Sequence, residues 1–293
     1  MKKILLIAVV LVCLLAPVAA QTEIAAAAVQ TSTGLKVQSF QLDSKLMGRM
    51  IPYRLILPSD YEISKSMRYP VIYLLHGLTG SYANWTNLTK LSEYASGHKF
   101  IIVTPDGASG WYTDSVSTPN DKYESYIVKE LIPEIDKQYR TMPDREHRII
   151  AGLSMGGYGS LKFGMKYPDM FSLVGSFSGA LGAAGWTEKN TGAIGKSMDS
   201  VFGTDEASEG RKANDIFKMM REITPEKVKA LPYIFQSCGT EDFLIQNNRD
   251  FLAILNEKKI PHEYREHPGI HDWVFWNDQV REFLDLAERR MKK

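Results

Sequence analysis

Gly152-Leu153-Ser154-Met155-Gly156 sets a serine between two glycines, after the apolar run Arg148 to Ala151 and before a stretch with helical spacing. A serine on so sharp a strand-to-helix turn is lifted above its neighbours. The flanking glycines are needed because Cβ atoms there would collide with adjoining chain. The helix that follows points its N-terminus at the same spot and favours negative charge. A hydroxyl becomes a good nucleophile only when a base takes its proton, so the motif calls for a histidine and for an acid to orient it.

In a strand-turn-helix site of this kind the partners follow in the order serine, acid, histidine. Of six histidines, His76, His98 and His147 precede Ser154 and do not fit that order. His262 opens the charged run His262 to Glu266, and His267 closes it before Pro268. His271 lies in the loop Pro268-Gly269-Ile270, just before the last helical stretch, and is the expected base. The acid is expected in Gly239-Thr240-Glu241-Asp242, the loop after the apolar run that starts at Tyr233; Asp242 is the choice and Glu241 its rival. The backbone amides of Met155 and Leu78, the latter in His76-Gly77-Leu78-Thr79-Gly80, are the expected donors to an oxyanion. His262 to His267 resembles a zinc motif at a glance, but its histidines are five apart and face opposite sides of a strand. No metal or other cofactor is called for. Cys238 reads as a packing residue rather than a nucleophile.

Short apolar runs at Tyr69 to Leu75, Phe100 to Val103, Arg148 to Ala151, Leu173 to Phe177 and Tyr233 to Gln236 read as strands buried on both faces. Two earlier strands, from Val37 and from Met50 to Leu57, flank a turn at Gly48. Helices are expected over Asp121 to Tyr139, Met155 to Tyr167, Leu244 to Lys258 and Asp272 to Met291. That alternation predicts an α/β protein with a mostly parallel sheet covered on both faces. Gly182 to Lys212, rich in Gly, Ser, Thr and Lys, reads as an excursion over the sheet.

The chain has 293 residues, 44% of them hydrophobic, so a large core is available. Its 35 basic and 34 acidic residues leave no excess for gripping a nucleic-acid backbone. Two cysteines exclude a disulfide-dense scaffold. Met1-Lys2-Lys3, the apolar run Ile4 to Ala16 and the small residues up to Ala20 have the layout of a secretory signal peptide. The run is short of the roughly 20 residues that cross a bilayer, so cleavage after Ala20 and no lasting membrane anchor are expected. Cleavage removes Lys2, Lys3 and Cys13, moving the net charge from +1 to −1 and leaving Cys238 as the one thiol. The expected organisation is a signal peptide over 1–20, a flexible leader over 21–34 and an enzyme domain over 35–293, in the periplasm or outside the cell.

Leu74 to Gly80, Trp111 to Ser115, Gly152 to Gly157, Gly239 to Asp242 and Gly269 to Asp272 together resemble the esterase D family of α/β-hydrolases. That group includes S-formylglutathione hydrolases, feruloyl and acetylxylan esterases, and mycolyltransferases. The resemblance implies a triad of Ser154, Asp242 and His271 and an oxyanion hole from the Leu78 and Met155 amides. A signal peptide disfavours the cytosolic S-formylglutathione hydrolases, and mycolyltransferases use a glutamate as the acid. His271-Asp272 followed by Trp276 is similar to the ending of feruloyl and related carbohydrate esterases. Trp111 and Tyr112 are expected near the triad, stacking on an aromatic acyl group or a sugar. The expected activity is hydrolysis of carboxylic esters, including feruloyl or acetyl esters of plant polysaccharides. Acyl transfer to a sugar and inert glycan binding are the alternatives.

Overall fold

The apolar runs pair with one another because a strand apolar on both faces has to be covered on both. The computed structural model describes residues 34–291, and among them eight strands form one sheet. They are β1 (Val37–Ser44), β2 (Arg49–Ile56), β3 (Val71–Leu75), β4 (Ile101–Pro105), β5 (Arg148–Leu153), β6 (Leu173–Phe177), β7 (Tyr233–Gly239) and β8 (His262–His267). Their order is β1-β2-β4-β3-β5-β6-β7-β8. β2 pairs antiparallel with β1 and β4, and the remaining pairings are parallel. This is an α/β-hydrolase fold. The expected signal peptide and nearly all of the expected leader lie outside the described residues.

Successive residues of a strand face opposite sides, and the core divides accordingly. Tyr73, Leu75, Ile101 and Val103 pack with Tyr126, Leu161, Phe251 and Leu255 from helical segments on one face. Ile72, Leu74 and Ile102 pack with Trp85, Val280, Phe283 and Leu284 on the other. The C-terminal helix Trp273–Met291 buries Phe275, Trp276, Val280, Phe283, Leu284 and Ala287, an apolar stripe at helical spacing. Asp272 caps it by accepting the Phe275 N–H at 3.0 Å.

The helix expected over Asp121 to Tyr139 is not regular. Tyr123–Tyr126 is α, Ile127–Leu131 widens to a π turn, and Ile132–Gln138 returns to α with Pro133 in its first turn. A proline ring collides with the carbonyl one turn earlier, and local widening relieves that contact. The excursion after Gly182 is a set of short helices. Buried Arg211 ties them together, donating to the Ala184, Trp186 and Gly203 carbonyls and pairing with Asp199 at 2.9 Å.

The helix Met155–Lys166, which starts beside Ser154, is anchored by a buried charge cluster. Lys162, fully buried, pairs with Glu124 at 2.9 Å and donates to the Tyr112 carbonyl at 2.8 Å; Lys166 reaches the same carboxylate at 2.6 Å. Burial pushes the Lys162 ammonium down to about 8. Burial alone would raise Glu124, but the two lysines overcome it and hold the carboxyl at about 2.

Glu124→Gln leaves Lys162 buried without its counter-charge, and urea unfolding at neutral pH should show a loss of about 3 kcal/mol. Glu124→Leu with Lys162→Met should recover most of it. Glu124 titrates at about 2 when folded against 4.5 when free, so its contribution is present above pH 4.5 and lost as the pH falls toward 2. The double variant should lose less stability on acidification.

Candidate active site

Ser154 links β5 to the helix Met155–Lys166 with φ 52° and ψ −114°, a conformation that costs an L-residue about 1–3 kcal/mol. The surroundings enforce it. Ser154 donates its N–H to the Phe177 carbonyl at 2.9 Å, and its own carbonyl accepts from Tyr158 and Ala180 at 3.0 Å each. A Cβ at Gly156 would stand 2.4 Å from the Leu75 carbonyl oxygen, and one at Gly152 would stand 2.5 Å from the Gly156 backbone. Both glycines are therefore required by close approach of backbone to backbone.

The Ser154 hydroxyl lies 3.0 Å from His271 Nε2, and His271 Nδ1 lies 2.9 Å from Asp242 Oδ2. The other Asp242 oxygen accepts the Leu244 N–H at 2.8 Å. Burial pushes the Asp242 carboxyl upward, but hydrogen bonds from His271 and Leu244 outweigh it and hold the group below its ordinary range. Asp242 faces the imidazole; Glu241 is exposed and accepts the Gly269 N–H at 2.6 Å, bracing the histidine loop instead. His267 points elsewhere, 3.7 Å from Glu282. An imidazole held between a carboxylate and a hydroxyl can take the hydroxyl proton and store it as a stabilised cation.

His76 is fully buried below this site. Its Nε2 accepts the Gly107 N–H at 2.8 Å, so Nδ1 carries the proton and donates to the Gly77 carbonyl at 2.8 Å. Burial lowers its pKa and keeps that neutral form. The ring thereby fixes the loop that carries Leu78. Met155 opens its helix, where the first N–H groups have no intrahelical acceptor. Burial pushes the Cys238 thiol up to about 12, far from a reactive thiolate.

A cleft of about 450 Å³ reaches Ser154 and His271, walled by Leu78, Leu153, Phe243, Trp273 and Trp276. Trp111 and Tyr112, expected at this cleft, are not part of its lining. Trp111 is 2% exposed, packed edge-on against Tyr158 and Trp186. Tyr112 is fully buried, and its hydroxyl donates to the His76 carbonyl at 2.9 Å. Both have φ near +50°, a left-handed turn that directs the two rings into the core. Phe243 was not anticipated. It follows Asp242 directly, is 74% exposed, and sets its ring centroid 4.6 Å from that of His271. Its signal in the sequence is its place beside Asp242. Trp276 stands perpendicular to the imidazole with its ring centroid at 4.9 Å.

Among the described residues no group of three or more His, Cys, Asp or Glu could hold a metal ion, and no helix is long and apolar enough to cross a membrane. The Esterase family model matches residues 44–285, a span that contains Ser154, Asp242 and His271. The chain belongs to the esterase family. An acetyl esterase of Caldicellulosiruptor saccharolyticus is 30% identical over 257 residues, covering 84% of this chain and 96% of that protein. An esterase of Mycobacterium tuberculosis is 30% identical over 261 residues, 81% of this chain, which spans 55% of that longer protein. A solved ferulic acid esterase superposes with a TM-score of 0.75 at 30% identity, covering 88% of this chain and 99% of that one. Like these esterases, the protein is read as a hydrolase.

The glycines offer a direct check on the turn. Gly156→Ala should lower stability by more than about 3 kcal/mol in chemical unfolding, since backbone must move to admit the methyl group. Gly185→Ala, where nothing lies within 4 Å of the added carbon, should stay within about 0.5 kcal/mol of the parent.

Proposed function

We propose that the protein is a secreted serine carboxylesterase working through an acyl-enzyme. The observation that carries this reading is the unbroken chain of contacts from Asp242 through His271 to Ser154. Ser154 Oγ attacks the ester carbonyl while His271 Nε2 takes its proton. The Leu78 and Met155 amides donate to the oxyanion that forms. His271 then protonates the departing alcohol, and Ser154 is left acylated. Water, deprotonated by the same imidazole, releases the acid. Asp242 keeps Nδ1 protonated and stabilises the imidazolium throughout.

The substrate class follows from the cleft and from the relatives. Phe243, Trp273 and Trp276 give the reacting centre aromatic walls, suited to the ring of a feruloyl group or the face of a sugar. Relatives named acetyl esterase and ferulic acid esterase support feruloyl or acetyl esters of plant polysaccharides as the natural targets. Secretion rests on the N-terminal segment Met1 to Ala20 alone.

Hydrolysis of p-nitrophenyl acetate should fall at least about 10³-fold in Ser154→Ala and comparably in Asp242→Asn, against less than about tenfold in Glu241→Gln. Activity that survives Ser154→Ala, or a larger loss from Glu241→Gln than from Asp242→Asn, would overturn this assignment.

A further inference from the structure

A second cavity, of about 440 Å³, opens at the opposite edge of the sheet, around the starts of β5, β6 and β7. It is distinct from the Ser154 cleft: from Ile149, on the cavity wall, the chain climbs β5 to Ser154 just past its end, five residues on and about 17 Å away at roughly 3.3 Å per residue. Leu173, Leu231, Tyr233 and Ala287 give part of its walls an apolar surface. Arg145, Lys229, Lys259 and Arg290 line it as well, with Glu146 as the acidic residue of the lining.

These charges are not equivalent. Arg145 pairs with Glu146 at 3.0 Å and spends its remaining donors on the Pro168, Ala230 and Leu231 carbonyls. That pair is closed to a ligand. Lys229, Lys259 and Arg290 are exposed, and the ion pair among the lining residues is Arg145 with Glu146. Three exposed cations thus stand at the rim of one partly apolar cavity. The Arg290 guanidinium lies 3.5 Å over the Tyr233 ring. A guanidinium seated against a ring can still offer its N–H edges for two parallel bonds to a carboxylate.

We propose that this cavity binds an organic carboxylate with an aromatic body. Arg290, assisted by Lys259 and Lys229, takes the carboxylate, and the apolar walls take the ring. A wholly hydrated anion would leave the apolar part of the walls uncovered, and a neutral aromatic would gain nothing from the cations at the rim. The site does not depend on the proposed esterase chemistry.

Isothermal titration of the full chain at low salt with cinnamate, cinnamamide, glucuronate and inorganic phosphate tests it. Cinnamate should bind at one site and weaken about tenfold or more in Arg290→Ala and in Lys259→Ala. Phe243→Ala, in the other cleft, should leave that affinity unchanged. Cinnamamide should bind far more weakly, and glucuronate and phosphate should both be poorer than cinnamate. No saturable cinnamate binding below about 10 mM would overturn the proposal. So would equal binding of glucuronate or phosphate, or a loss in Phe243→Ala with none in Arg290→Ala.

Discussion

The contact between Gly156 and the Leu75 backbone is the constraint on which the rest of the site depends. β3 and β5 are neighbours in the sheet, and the helix after Ser154 has to leave its strand without striking the end of β3. With glycine on both sides the turn closes to within contact distance, and Ser154 is forced into a left-handed conformation above the sheet edge. Its hydroxyl then stands where loops from other strands can reach it. A methyl group at either glycine would strike backbone and force the helix and sheet apart.

The other groups come from the C-terminal ends of neighbouring strands. Asp242 follows β7, His271 follows β8, and Leu78 follows β3. The two loops that carry Asp242 and His271 brace each other: Thr240 donates to the His267 carbonyl at 2.9 Å, and Glu241 donates to and accepts from Gly269. Asp242 is thereby buried and satisfied, which keeps it ionised, while Phe243 beside it stays in the cleft. Adjacent residues thus divide the work: Glu241 braces the loop, Asp242 meets the His271 imidazole and Phe243 walls the cleft.

Much of this was legible in the residue pattern. Continuous apolar runs marked the central strands, since nothing else in the chain needs both faces apolar. The order of Ser154, Asp242 and His271 could be read because each lies just past a strand. Side-chain direction in irregular backbone could not. Trp111 and Tyr112 sit in the loop where a substrate platform was expected, yet two successive left-handed residues turn them inward. The short helices after Gly182 are one or two turns long, too brief for a 3.6-residue period to show. Phe243 lies outside any periodic element, and its exposure follows only from the burial of Asp242. The charge cluster of Glu124, Lys162 and Lys166 joins segments far apart in sequence, and no spacing announces it.

The central claim is that Ser154 is an activated nucleophile and that His271 activates it. Labelling the native protein with a fluorophosphonate and locating the adduct by peptide mass spectrometry tests both parts, because an unactivated serine does not react. The account predicts phosphonylation at Ser154 in the parent protein and its loss in a folded His271→Ala variant. No adduct on the folded parent, an adduct on another residue, or equal labelling without His271 would contradict it.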